Sequence, residues 1–235
     1  MKLLLYKKPK GVTIVDGFPG MGLIGTIATE FLVDHLDTVK IGSIEIGEIP
    51  AMVAVHEGRV IEPVSIYYNK KFNMVLVHAI SAGKGLGWQL SNQIRELASL
   101  LQAKEIVSLE GVGNPEMSKN SEVFYYSTSK LFLKKLESVA KPLKEGVIVG
   151  TTGALMAREK KIPVTALFAE THSNLPDSKA AAKIITALDG YLGLNVDPKP
   201  LLKQAEEFEA KLKTLLENSK DAQSMSDKKK LSYVG

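Results

Sequence analysis

Short apolar runs alternate with segments of helical period along most of this chain. The strand-like runs are Val12–Val15, Ile41–Ile46, Met52–Val55, Val60–Tyr67, Asn73–Ile80, Glu105–Leu109, Val147–Val149 and Pro163–Phe168. Helical spacing covers Leu23–Leu36, Leu86–Leu101, Lys130–Leu136, Ala154–Lys160 and Ser178–Leu192. The last of these is bracketed by Pro176-Asp177 and Gly193, the residue types that start and stop helices. Continuous apolar strands separated by helices need cover on both faces, which predicts a single three-layer α/β/α domain over residues 1–197 with a mixed, mainly parallel sheet. Between residues 41 and 80 strands follow one another without helices, so an antiparallel portion is expected there.

From Asp197-Pro198 the pattern changes. Leu201, Ala205, Phe208, Leu212 and Leu215 recur at spacings of four and three, which predicts an amphipathic helix over 198–217. That stripe suits packing on the chain's own domain or an oligomer seam, and two heptads do not decide between them. Residues 218–235 are polar and lysine-rich, cannot bury a core, and are expected to form a mobile tail ending in Leu231-Ser232-Tyr233-Val234-Gly235.

Composition narrows the function classes. The chain has no cysteine, which excludes disulfides and thiolate metal sites. The net charge of +4 comes from 27 lysines and only three arginines, Arg59, Arg95 and Arg158. Arginine is the usual bidentate reader of phosphates and guanine, so nucleic acid is not an expected partner. No apolar window approaches the ~18 residues of a membrane helix, and the expected location is the cytoplasm.

Gly20-Met21-Gly22-Leu23-Ile24-Gly25 is a literal G-x-G-x-x-G between a strand and a helix, and Glu45 follows at the distance of a ribose-binding carboxylate. Against a dinucleotide site, Gly17-Phe18-Pro19 separates the strand from the first glycine, and Asp16 would put a carboxylate near the pyrophosphate. No cofactor is therefore expected. Further glycine loops follow the strands ending at Ile80, Leu109 and Val149. At the carboxyl ends of parallel strands such loops share one crevice, where helix-start N–H groups can hold an anion. Its candidate lining is Gly20, Gly22, Lys84, Gly113, Thr151, Glu170 and His172. Glu170 and His172 could do acid–base work, yet no nucleophile motif or metal-ligand spacing accompanies them. His35 and His78 lie in apolar stretches and read as core or rim histidines.

The run Gly17 to Gly25 resembles the opening motif of the family that contains the second proteasome assembly chaperone and its archaeal homologues. Glu170 to Ala181, an acidic-proline turn before an alanine-rich helix, resembles that family's late motif. The resemblance implies a nucleoside-phosphorylase-like α/β/α domain, self-association, and a non-catalytic role in binding 20S proteasome α subunits. It also implies docking through a C-terminal hydrophobic–tyrosine–any-residue ending, with Leu231, Tyr233, Val234 and the Gly235 carboxylate as contacts. Here Tyr233 is third from the end rather than second, which departs from that pattern. Two alternatives remain open: a small-molecule transferase or hydrolase using the glycine-loop crevice, and an oligomeric structural protein with no proteasome link.

Overall fold

A computed structural model describes residues 1–56, 58–83, 85–113, 122–171 and 175–203. The described chain runs β1 (Lys2–Leu5), β2 (Thr13–Gly17), α1 (Ile24–His35), β3 (Thr38–Glu45), β4 (Ala54–His56), β5 (Arg59–Ile61), β6 (Val64–Asn69), β7 (Met74–Ala79), α2 (Gly87–Leu100), β8 (Glu105–Gly113), β9 (Val123–Ser127), α3 (Leu133–Leu136), β10 (Lys141–Pro142), α4 (Gly150–Arg158), β11 (Val164–Thr171) and α5 (Ser178–Leu192).

Nine of these strands form one sheet in the order β1-β3-β6-β7-β2-β8-β11-β9-β10. The central four, β7-β2-β8-β11, are parallel, while β1, β3 and β6 add an antiparallel flank. The antiparallel portion is therefore where the helix-free stretch predicts it. Alternation along the strands divides the core in two. Val15, Leu76, Val107 and Leu109 face α1 and α5, and Ile14, Val75, Val77 and Ile106 face α2 and α4. That division is the three-layer α/β/α arrangement.

Glycine sets how closely α1 approaches the sheet. A Cβ on Gly17 would lie 2.0 Å from the Gly25 carbonyl oxygen, and one on Gly25 would lie 2.3 Å from that of Leu109. The first turn of α1 therefore rests directly on the end of β2 and the middle of β8. The Thr26 hydroxyl adds a hydrogen bond to the Ala79 carbonyl at the end of β7, 2.9 Å long.

Two strand expectations fail. Val147–Val149 is not a strand: it runs along the surface with Val147 90% and Val149 76% exposed. Its β-branched residues gave strand propensity, but no sheet edge pairs with it. Val60–Tyr67 is two strands, because Pro63 lacks the N–H a ladder requires; β5 pairs with β4 in a separate hairpin and β6 joins the main sheet.

At the far end of the sheet a buried carboxylate ties layers together. Glu105 on β8 accepts hydrogen bonds from the Thr165 hydroxyl on β11 and from the Tyr191 hydroxyl on α5, the latter at 2.7 Å. Burial pushes Glu105 above the ordinary carboxylate range despite both donors, and burial beside the Glu105 charge pushes Tyr191 up.

Candidate functional site

The parallel strands β7, β2 and β8 end on one side of the sheet; glycine-rich turns follow β2 and β7, whereas Gly111 and Gly113, expected in a loop after Leu109, lie within β8. Those turns, with the starts of α2 and α4, enclose a crevice of about 750 Å3. Gly20, Gly113 and Thr151 line it. Gly22 points elsewhere: at φ +65° it sits against the Thr171 hydroxyl and the Asp177 side chain. Glu170 lines a neighbouring hollow of about 570 Å3 that shares Val112, Gly113 and Leu143 with the crevice, and its carboxylate accepts the Glu122 N–H at 3.0 Å. Lys84 and His172 lie outside the described residues.

The crevice holds a carboxylate that sequence reasoning passed over, Glu110. It stands in the second half of β8, where Oε1 accepts the Thr152 hydroxyl of α4 at 2.7 Å. Its Oε2 lies 2.7 Å from where a Cβ on Gly20 would be. Ser108, two residues earlier on the same face of β8, donates to Asp16 Oδ2 at 3.0 Å. Asp16 Oδ1 is buried and has no partner among the described residues. Burial pushes Asp16 up to about 8, with the Ser108 hydrogen bond opposing and the Glu110 charge adding. Burial likewise pushes Glu110 up to about 7 against the Thr152 hydrogen bond. The available signal was the period of two: Asp16, Ser108 and Glu110 are polar positions inside apolar strands, and Asp16 pairs with Ser108 across the sheet.

The histidines behave as core groups. His78 is 2% exposed on the opposite face of the sheet; its Nδ1 lies 3.0 Å from the Thr29 hydroxyl and burial lowers its pKa to about 4. Thr29 spends its own proton on the Gly25 or Thr26 carbonyl, so the Nδ1–H tautomer of His78 fits the contact. His35 stacks on Phe31 and its Nδ1 lies 2.9 Å from the Phe31 carbonyl oxygen.

The dinucleotide geometry is absent. Glu45 ends β3, and β6 and β7 intervene between β3 and β2. At ~4.8 Å per strand spacing, Glu45 is roughly 14 Å from the strand that leads into the glycine turn. Among the described residues no group of three His, Cys, Asp or Glu side chains could hold a metal ion, and no helix is long and apolar enough to cross a membrane.

Of the amphipathic stripe, Leu201 is buried against the α1/α5 side of the core. Ala205, Phe208, Leu212 and Leu215 lie outside the described residues, as do Leu231, Tyr233, Val234 and Gly235.

The model of the PAC2 family matches residues 14–216. The chain belongs to the PAC2 family. Among solved structures this PAC2 chain is similar to Pyrococcus furiosus PbaA, described as an archaeal homolog of proteasome-assembly chaperone, at 31% identity and a TM-score of 0.83, covering 97% of this chain and 98% of that one. Pyrococcus furiosus PbaB, described as an archaeal proteasome activator, shares the fold at 20% identity and a TM-score of 0.78, over 91% of this chain and 98% of that one. An uncharacterized protein of Methanocaldococcus jannaschii is 28% identical over 94% of this chain and 92% of its own length. The family recognised in the motifs around Gly17–Gly25 and Glu170–Ala181 is thus the family shown.

Proposed function

We propose that this PAC2 protein is a non-catalytic, homo-oligomeric protein-binding factor that docks on 20S proteasome α subunits in the cytoplasm. The domain of residues 1–197 forms the body, the helix of 198–217 contributes to self-association through Ala205, Phe208, Leu212 and Leu215, and the tail of 218–235 carries the docking element. Leu231, Tyr233, Val234 and the carboxylate of Gly235 make the contact, and Lys228 to Lys230 steer the encounter. An oligomer presents several such tails at once, which raises avidity without any new contact. A tyrosine is well suited to this role, since its ring buries apolar area while its hydroxyl keeps a polar partner.

The observation that supports the reading is the 31% identity, over nearly the whole chain, to a structure described as a proteasome-assembly chaperone homolog. The test is direct. The full chain and a variant lacking residues 231–235 are titrated onto purified 20S α-rings on a biosensor surface. A loss of at least about ten-fold in affinity is expected for the shortened chain, and unchanged affinity overturns the docking claim.

A further inference from the structure

The crevice described above has an electrostatic character opposite to the one its glycine loops suggest. Helix starts and glycine turns ordinarily favour an anion. At the start of α4, however, the negative charge is already supplied by the protein: Glu110 accepts the hydroxyl of Thr152 in the first turn. Glu110 is the one ionisable side chain among the described residues that line the crevice, and no lysine, arginine or histidine stands among them. Behind it lies a second carboxyl, Asp16, linked to the same face of β8 through Ser108. Among the described lining residues, none offers a cation to an incoming phosphate or carboxylate.

What Glu110 lacks is a second donor. Oε1 of Glu110 is engaged by Thr152, whereas Oε2 has no hydrogen-bond partner among the described residues and abuts Gly20. Gly20 is extended, with φ −141°, a backbone any residue adopts. Yet a Cβ there would come within 2.7 Å of Oε2, with its next neighbours 3.9 Å away. The absence of a side chain at residue 20 therefore leaves space in front of one carboxylate oxygen, rather than serving a strained turn. The remaining lining is apolar and partly aromatic and includes buried Phe18 with the more exposed Met21, Trp88, Val147 and Val149. One face of the Trp88 ring is covered by the Arg158 guanidinium, 4.1 Å from the ring centroid. A volume of about 750 Å3 suits a small organic molecule.

We propose that this crevice is a binding site for a small, flat organic cation of the amidine or amino-heterocycle class, whose N–H group donates to Glu110 Oε2 while its ring lies against the apolar wall formed with Phe18, Met21 and Trp88. A charge-assisted N–H to carboxylate hydrogen bond in a partly desolvated site is among the stronger polar contacts available to a ligand of this size. The site is independent of docking by the C-terminal tail and stands or falls without it.

Three nearly isosteric probes that differ in charge decide the matter: benzamidine, benzamide and benzoate. Trp88 is the sole tryptophan of the chain, so its fluorescence reports occupancy directly. Titrations of the full chain at pH 8 are expected to show saturable quenching by benzamidine, at least about ten-fold tighter than by benzamide, and none by benzoate. Glu110→Gln keeps an acceptor for Thr152 but removes the charge, and Gly20→Ala occupies the space before Oε2. Each is expected to weaken benzamidine about ten-fold or more and to leave the unfolding midpoint within a few degrees of the parent. Benzoate binding as tightly as benzamidine would establish an anion site and overturn the proposal. So would benzamidine binding unmoved by both substitutions, or no saturable binding of any probe. The comparison of the three probes on the parent chain needs no variant to fold.

Discussion

The backbone N–H of Asp177 donates to the carbonyl oxygen of Gly22 at 2.9 Å, joining the first glycine motif of the chain to the turn that opens its last described long helix. The Asp177 carboxylate is used twice more: Oδ1 accepts the Ala180 N–H as the cap of α5, and Oδ2 accepts the Thr171 hydroxyl at the end of β11. One residue thus fixes β11, α5 and the glycine turn relative to each other. The two sequence segments that carry the family resemblance touch in space, and each depends on the other for its backbone partners.

Asp177→Ala removes the helix cap and the acceptor of the Thr171 hydroxyl bond, for an expected cost of about 1–2 kcal/mol. Gly22→Ala is expected to cost at least as much, because φ there is +65° and a Cβ would lie 3.0 Å from Thr171 Oγ1. Urea denaturation of each variant measures both. A change below about 0.3 kcal/mol in either would mean the junction does not contribute to stability.

Gly25→Ala tests the contact between α1 and the sheet. The added methyl would sit 2.3 Å from the Leu109 carbonyl oxygen, an atom of the sheet backbone that cannot rotate away. The expected loss is on the order of 3 kcal/mol or more, seen as a large fall in the unfolding midpoint or as loss of folded protein.

Tyr191→Phe leaves Glu105 with Thr165 as its remaining side-chain donor. Removing a donor from a buried carboxyl costs about 1–3 kcal/mol. Calorimetric unfolding compares the two chains. Equal midpoints would show that Glu105 takes a replacement donor at no cost.

The buried carboxyls also predict a pH dependence. Asp16 is raised from its ordinary 3.8 to about 8 and Glu110 from 4.5 to about 7, so the folded state holds protons that the unfolded chain releases. Their contribution to stability is complete below about pH 4 and is lost as the pH climbs toward 8. His78 has the opposite sign: with its folded value near 4, its contribution is present above 6.5 and lost as the pH falls toward 4. The window from pH 6.5 to 8 therefore isolates the carboxyls. The parent chain is expected to lose roughly 2 kcal/mol across it. Asp16→Asn should remove most of that slope in denaturant titrations at several pH values, and an unchanged slope would contradict the assignment to Asp16.

Much of the fold was legible because burial writes itself into the sequence. The strands at Val12–Val15, Asn73–Ile80, Glu105–Leu109 and Pro163–Phe168 became β2, β7, β8 and β11, since strands covered on both faces must be apolar at nearly every position. The cap of α5 was equally plain, because Asp177 and Gly193 are chemically specific for the two ends of a helix. The marginal strands were not. Val123–Ser127 and Lys141–Pro142 lie at one margin of the sheet and Lys2–Leu5 at the other; they are only five, two and four residues long, and runs that short do not by themselves distinguish a strand from a loop. At Val147–Val149 the bias misled in the other direction, since propensity does not reveal whether a partner strand exists.

The site divides in the same way. Local sequence determined that glycine turns follow β2 and β7, because a chain leaving a buried strand against a helix has room for little else; the glycines read as a loop after Leu109 extend β8 instead. It also determined the family, through the motifs at Gly17–Gly25 and Glu170–Ala181. Only the tertiary structure decided what those turns enclose. Strand order placed two strands between Glu45 and the strand leading into the glycine turn, and the register of β8 on β2 brought Ser108 to Asp16. The packing of α4 set Thr152 against Glu110. These are contacts between residues far apart in the chain, fixed by sheet order and layer packing, and no local pattern encodes them.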